Sequence, residues 1–175
     1  MNPVPVLHTD RCTLTAVTQS DIAVLREILD DSETQRFLPE LCEEFQTTES
    51  LQQFIVSFDK YLLQDEGLLW GIRKDDTLIG FIAIMDIMTN PTLFYAMHPN
   101  YRNNGYMKEC IKASMRFVNE VKLCLIIQSE VYCDNVISTK LLTNLNFKLY
   151  KQSETKVYYT TYLNNSRDFY NTHSK

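Results

Sequence analysis

The chain has 175 residues, of which 45% are hydrophobic and 22% charged, and its formal net charge is −5 at pH 7. This length and composition predict one globular domain that buries its core without a metal or a disulfide. The negative charge and the scattered lysines and arginines argue against nucleic acid as the main partner and weakly favour cationic small molecules or basic peptides.

The first third of the chain predicts one strand followed by helical segments. Residues 12–17 alternate as in a strand, and Ser20 is the predicted N-cap of the helix that follows. Pro39 interrupts residues 36–45, for which we expect a loop with short helical turns. Residues 48–63 have apolar side chains at helical spacing.

The rest of the chain predicts two hairpins on either side of a strand-helix-strand unit. The first hairpin turns at residues 74–76, and its second strand runs from Leu78 to about Met88. The later predicted elements are a strand at 92–97, a helix at 106–120, a strand at 123–132, a helix at 136–145 and a hairpin of 147–154 with 156–163.

This order of elements predicts an α/β (α+β) domain with a mixed central sheet of six to seven strands and helices on both faces. We expect residues 1–163 to form this single domain and residues 164–175 to be a polar C-terminal tail. A homodimer through the C-terminal hairpin is an alternative that the sequence leaves open.

The five cysteines have no pair with the spacing of a zinc or redox motif, so we expect free, mostly buried thiols in a reducing cytosol and no metal. The first ten residues lack the basic and apolar regions of a signal peptide. No apolar run reaches the ~18 residues of a membrane span. These features predict a cytoplasmic protein with no membrane partner.

The loop in "HPNYRNNGYMKECIK" joins a predicted strand to a predicted helix. The first N–H groups of that helix have no partner inside it, and the helix dipole adds positive potential, so the loop is suited to a phosphate. Gly105 allows close approach of the backbone, and Arg102 can add a charge-assisted hydrogen bond. The alternative is a plain turn in which Gly105 relieves φ strain and Arg102 is solvated.

The loop "RNNGYM" resembles motif A of the GNAT superfamily of N-acetyltransferases, R/Q-x-x-G-x-G/A, with Met107 where glycine or alanine is usual. The segments "LHTDRCTLTAVTQSD" and "LIGFIAIMDI" are similar to the opening and the central strand of its RimJ/RimL-type branch (ribosomal-protein-alanine acetyltransferases). The segment "DNVISTKLLTNLNF" resembles a later helix of that branch, with Asn146 in place of a glycine. Landmarks in this order identify the chain as a member of the superfamily.

The resemblance implies a GNAT fold, a single acyl-CoA N-acyltransferase domain, and acetyl-CoA as co-substrate. The diphosphate would lie on the N–H groups of residues 102–107, and the pantetheine arm would pair with strand backbone between two splayed parallel strands. Met107 either crowds the phosphate or points into the core, and we favour the core. The implied cofactor-binding residues are Tyr95, Met97, Arg102, Asn103, Asn104, Gly105, Tyr106, Met107, Asn135 and Ser138.

The resemblance also bears on catalysis. Many family members place a tyrosine where this chain has Leu142, so that donor to the sulfur is missing, and Ser138 matches the serine that the RimL-like branch places near the sulfur. The alternatives are an ordinary N-cap for Asn135 and a helix serine bonded to its own backbone for Ser138. Glu130 is the candidate general base, acting through water. Glu130 and the other candidate, Asp86, are each more typical of a solvated strand-end carboxylate.

These features predict an N-acetyltransferase that acts on a primary amine by direct attack in a ternary complex. An α-amine has a pKa near ~7.7–8.0 and a lysine near ~10.4, so a site without a strong base favours a protein N-terminus, although small amines are also acceptors in this branch. The sequence leaves two alternatives for the carboxylates of Glu40, Glu43 and Glu44: they are solvated, or they attract a cationic acceptor. The alternative function is a catalytically weak or inactive GNAT-fold module that binds acyl-CoA.

Overall fold

The computed structural model describes residues 4–64 and 66–163, and the predicted polar tail lies outside these ranges. The strands are β1 Leu7–His8, β2 Thr13–Ala16, β3 Gly67–Lys74, β4 Thr77–Met85, β5 Thr92–Met97, β6 Ile126–Tyr132, β7 Lys148–Gln152 and β8 Lys156–Tyr162. They form one sheet in the order β1-β2-β3-β4-β5-β6-β8-β7, in which only β5 and β6 run parallel. The mixed sheet is confirmed, with eight strands instead of six to seven, because the two-residue β1 is too short to show an alternating pattern.

Helices cover both faces of the sheet, as predicted. Ile82 on β4 joins a core cluster with Ile111 and Leu142, whereas its neighbour Phe81 joins a second cluster with Ile28, because successive strand residues point to opposite faces. No helix in the described ranges is long and apolar enough to cross a membrane. The helices are α1 Ile22–Asp30, α2 Ser32–Phe37, α3 Pro39–Glu44, α4 Thr48–Leu63, α5 Tyr106–Glu120 and α6 Val136–Asn144.

The segment 36–45 lies mostly in two short helices, so the predicted helical turns are present, but they leave little of the predicted loop. Pro39 lies in the first turn of α3, where its missing N–H removes no helical hydrogen bond. The Asp31 carboxylate caps α2 by accepting a hydrogen bond from the Thr34 N–H at 3.0 Å. The proline therefore divides two helices instead of preventing them.

The prediction that Ser20 caps α1 was also wrong. Asp21 fixes this turn, since its carboxylate accepts a hydrogen bond from the Thr18 N–H at 2.8 Å. Asp21 is only 4% exposed and also pairs with Arg73 of β3 at 2.8 Å. The start of α1 is thus held against the sheet by Arg73, which lies 52 positions further along the chain than Asp21.

The elements around the predicted loop lie where the sequence places them. Strand β5 and helix α5 have the predicted bounds, and β6, α6 and the last hairpin differ only at their ends. Strand β4 stops at Met85 instead of Met88, because Asp86 has a φ of 55°, which ends the extended backbone.

Candidate active site

The parallel strands β5 and β6 diverge soon after they meet. Their one registered pair is Thr92 with Gln128, and the Ser129 hydroxyl then donates to the Leu93 carbonyl at 3.2 Å. The main-chain groups of successive residues point to opposite sides of a strand, so Tyr95 faces the same side as Leu93. The N–H and C=O of Tyr95 therefore face an opening gap.

The end of β5 shows the same alternation. The His98 N–H donates to the Ile79 carbonyl on β4 at 2.9 Å, which places the groups of Met97 on the gap side. The Met97 carbonyl already accepts a hydrogen bond from Arg102 Nε at 3.1 Å. Tyr95 thus offers a main-chain donor and acceptor to a ligand in the gap, whereas Met97 offers its donor.

A cavity of about 340 Å³ fills the gap, a size typical of small-molecule sites. Among the predicted cofactor-binding residues, Asn104 alone does not line it; its carbonyl instead accepts a hydrogen bond from Arg11 Nη1 at 2.9 Å. The predicted site residues that line the cavity are Tyr95, Met97, Arg102, Asn103, Gly105, Tyr106, Met107, Glu130, Asn135 and Ser138.

The loop before α5 presents a row of unpaired N–H groups. Asn103 and Gly105 have φ values of 63° and 81°, a left-handed conformation that glycine adopts without strain. In the described part of the chain, none of the N–H groups of residues 103–108 donates to a protein acceptor. The first helical hydrogen bond runs from the Glu109 N–H to the Gly105 carbonyl at 3.2 Å. This arrangement suits an anion with several oxygens.

The side chain of Arg102 is fully engaged away from this row of N–H groups. Its two Nη atoms lie 2.5 Å from the Asp31 carboxylate and 2.6 Å from the Glu33 carboxylate, and Thr34 Oγ1 lies at 3.0 Å. The main-chain N–H of Arg102 also donates a hydrogen bond, to the Pro99 carbonyl at 3.3 Å. The sequence suggested a direct hydrogen bond from Arg102 to an anion, whereas the structure shows the guanidinium fastening the loop to α2.

The electrostatics of Asp31 reflect this contact. Burial favours the neutral acid, but hydrogen bonds from Arg102 and Thr34 outweigh it, so the pKa of Asp31 lies below its usual value. The carboxylate therefore remains ionised, and its pairing with the guanidinium is maintained across the neutral range.

Arg11 supports the loop from outside the cavity lining, a role that sequence reasoning missed. Its guanidinium lies 4.6 Å from the centre of the Tyr106 ring, and its Nε donates to the Glu109 carboxylate at 2.8 Å. Burial opposes ionisation of Glu109, but hydrogen bonds from Thr9 and Arg11 lower the pKa of Glu109. Arg11 thereby offsets the negative charge in the first turn of α5 and supports the loop through Asn104. The sequence signal for Arg11 was its place in the segment "LHTDRCTLTAVTQSD", but the sequence did not show which residues it would contact.

Helix α6 begins on the far side of the gap. The Asn135 side-chain oxygen accepts a hydrogen bond from the Ser138 N–H at 3.0 Å, so the N-cap reading of Asn135 is confirmed. The Ser138 hydroxyl donates to no backbone carbonyl in the described residues, so the alternative of a bond to its own helix is not realised. Leu142, one turn further on, is fully buried and apolar.

Met107 packs into the core, which is the alternative favoured from the sequence, and it also reaches the cavity. The loop therefore carries a bulky apolar side chain beside its donors, on the cavity wall.

Glu130, the candidate base, lies on β6 with 38% of its side chain exposed. It forms an ion pair with Lys156 of β8, which also contacts the Glu40 carboxylate at 2.9 Å. Burial disfavours the charge on Lys156, but the hydrogen bonds to Glu130 and Glu40 outweigh it and raise the pKa of this lysine. Asp86, the other candidate, does not line the cavity.

The site contains no recognisable metal centre. Across residues 4–64 and 66–163, no group of three or more His, Cys, Asp or Glu side chains is placed to hold a metal ion. The five cysteines are free thiols.

The sequence is similar to known acetyltransferases. Residues 11–148 match the family model described as acetyltransferase (GNAT) domain. A curated relative, the uncharacterized N-acetyltransferase YoaA of Bacillus subtilis, is 26% identical over 149 residues, which cover 82% of this chain and 83% of that protein.

Solved structures support the same fold. RimL, a ribosomal α-N-protein acetyltransferase in complex with coenzyme A, has a TM-score of 0.80 at 13% identity, covering 90% of this chain and 98% of the other. A GNAT-family acetyltransferase from Bacillus anthracis has a TM-score of 0.77 at 14% identity, covering 91% and 99%. At 13% and 14% identity, these likenesses show the fold. Because the family model spans most of its length, the chain belongs to the GNAT family of N-acetyltransferases.

Proposed function

We propose that the protein transfers an acetyl group from acetyl-CoA to a primary amine, either a protein N-terminal α-amine or a small-molecule amine. The observation that carries the proposal is the row of unpaired N–H groups of residues 103–108 beside a gap between splayed strands. The N–H groups fit a diphosphate, and the Tyr95 backbone fits an amide-containing arm. Both features belong to one cavity.

Each residue of the site has a distinct role in the proposed reaction. When bound, acetyl-CoA supplies an activated thioester. The N–H groups of residues 103–108 and the Tyr95 backbone hold and orient it, which supplies much of the rate enhancement. As the C–N bond forms and the C–S bond breaks, the Ser138 hydroxyl donates a hydrogen bond to the sulfur. The proton lost by the amine passes to water, with Glu130 as the candidate base.

The lining of the cavity favours an acceptor amine that is already neutral. Phe37, Leu38, Glu33 and Glu130 all line the cavity. Both carboxylates are already paired with cations, so neither is a strong unpaired base. A site of this kind suits an α-amine, of which roughly a tenth is neutral at pH 7, better than a lysine.

The first test combines binding with turnover. Acetyl-CoA at a hundredfold excess over Kd should stabilise the protein by about 2.7 kcal/mol, which raises Tm by roughly 5–10 °C. A panel of peptides and small amines should then release free thiol, with the acetylated product identified by mass spectrometry. The absence of any Tm shift at millimolar acetyl-CoA would contradict the proposal.

A variant of the sulfur donor refines the test. Ser138→Ala should lower kcat and leave the affinity for CoA nearly unchanged. Thr143→Ala is a matched control, because this hydroxyl lies on the same helix, bonds to the Thr139 carbonyl at 2.8 Å and does not line the cavity. Equal turnover by both variants would remove the role of Ser138.

A binding module with little or no activity is the second candidate function. It is favoured by the apolar Leu142 and by the pairing of Glu130 with Lys156. In that case acetyl-CoA raises Tm, but no amine in the panel is acetylated.

A further inference from the structure

Tyr95 carries a buried hydroxyl that the roles given above leave unexplained. Its side chain shares the core cluster of Leu93 and Ile111 and lines the cavity. The phenol oxygen is buried and has no hydrogen-bond partner in the described residues. A buried hydroxyl without a partner costs stability, so its retention at a cavity wall points to a function with a ligand bound.

Ser138 is the polar side chain that acts on this phenol. Burial raises the pKa of Tyr95 to about 12, and the Ser138 hydroxyl partly opposes that rise. Ser138 on α6 is thus near enough to the phenol on β5 to affect its ionisation, yet the phenol oxygen has no hydrogen-bond partner in the described residues. The Asn135 cap fixes the first turn of α6 and so holds Ser138 in the wall of the cavity that Tyr95 also lines.

Helix α6 carries no tyrosine, whereas β5 carries the Tyr95 phenol. Leu142 is fully buried and offers no donor, and Tyr95 reaches the same core cluster from the facing strand. We infer that the Tyr95 phenol donates a hydrogen bond to Ser138 Oγ and thereby directs the serine proton towards the sulfur that leaves the acetyl group. This inference rests on the proposed function.

Tyr95 is a positioning residue in this arrangement and undergoes no chemical change. The electron pair of the broken C–S bond stays on sulfur, where it accepts the hydrogen bond of Ser138, and the amine proton leaves through water. The high pKa keeps the phenol protonated throughout the neutral range, so it remains a donor to Ser138 and does not act as a base.

The test is a double-mutant cycle of Tyr95→Phe and Ser138→Ala, with acetyl-CoA and an amine that the wild type acetylates. We expect Tyr95→Phe to lower kcat about tenfold, since one hydrogen bond is lost, with little change in KM for acetyl-CoA. In the Ser138→Ala background the same change should have almost no further effect. An equal loss in both backgrounds, or no loss, overturns the inference.

Stability separates this role from a structural one. The unliganded Tyr95→Phe protein should melt at or above the wild-type Tm, because the removed hydroxyl has no partner there. Tyr150→Phe is the control, since this tyrosine lies on the edge strand β7, donates to Gln128 at 2.7 Å and does not line the cavity. A fall in Tm for Tyr95→Phe that accounts for its lost activity would assign the phenol a structural role instead.

The outcomes also distinguish this inference from the proposed function. If the wild type binds acetyl-CoA and acetylates an amine while Tyr95→Phe behaves identically, only the inference fails. If the wild type neither binds nor turns over acetyl-CoA, the proposed function fails, and the inference fails with it.

Discussion

Replacing Arg102 with leucine tests whether its guanidinium fastens the loop to α2 or binds the phosphate. The change removes contacts to Asp31, Glu33, Thr34 and the Met97 carbonyl. The side chains of Arg102 and Asp31 are 22% and 18% exposed, so the aspartate would be left partly buried without its cation.

The magnitude follows from that burial. Removing one partner of a buried ion pair costs about 3–5 kcal/mol, whereas exposed pairs contribute about 0.2–1 kcal/mol. Glu33 is 44% exposed and Asp31 only 18%, so we expect an intermediate loss of about 2–3 kcal/mol in the free energy of unfolding. For a domain of this size, Tm of the unliganded protein should fall by roughly 5–10 °C.

The assay is urea unfolding and thermal melting of the unliganded variant, with calorimetric titration of CoA. Arg36→Leu is the matched control, because its pair with Asp134 is 65% and 56% exposed and should contribute little. We expect Arg102→Leu to lose stability and to bind CoA with an affinity within a few-fold of the wild type. An unchanged Tm together with a tenfold or greater loss of CoA affinity would refute the reasoning and make the side chain a phosphate ligand.

Three further changes probe the same site. Gly105→Ala imposes a φ of 81° on a residue with a Cβ and should lower the free energy of unfolding, measured in urea, by about 1–2 kcal/mol. It should also weaken CoA binding in calorimetry, and unchanged binding would argue against the loop as the binding site. Asn135→Ala removes the cap of α6 and should cost about 1 kcal/mol, read as a Tm lower by roughly 2–4 °C; an unchanged Tm would make the cap energetically neutral. Asp31→Asn tests pH dependence: because the folded pKa of Asp31 is lowered, its stabilisation is complete above its unfolded value of ~3.9 and lost as pH falls through the folded value. The Tm difference between wild type and Asp31→Asn should therefore shrink below about pH 4, and a constant difference down to pH 2 would contradict this.

The sequence predicted those parts of the site that depend on local chemistry. The alternative given for Gly105, relief of φ strain, agrees with its φ of 81°, and the alternative given for Asn135, an N-cap, agrees with its hydrogen bond to Ser138, because both depend on neighbouring residues only. The helix that begins at Tyr106 followed from apolar spacing alone.

The contacts that were not predicted join residues far apart in the chain. Arg102 meets Asp31 across 71 positions, and Arg11 meets Glu109 across 98, so no local pattern records either pair. The pairing of Lys156 with Glu130 likewise depends on the register of β6 and β8. Charged residues have many eligible partners, and only the folded backbone selects among them.

The attachment of Arg102 to α2 has a consequence for how this protein can diverge. Asp31 and Thr34 contact Arg102 and so anchor the loop before α5, whereas Phe37 and Leu38 line the cavity and Leu38 also packs against the second core cluster. Divergence towards a new acceptor is therefore expected at Phe37 sooner than at Asp31 or Thr34, where a change would also disturb the loop that we propose for the donor.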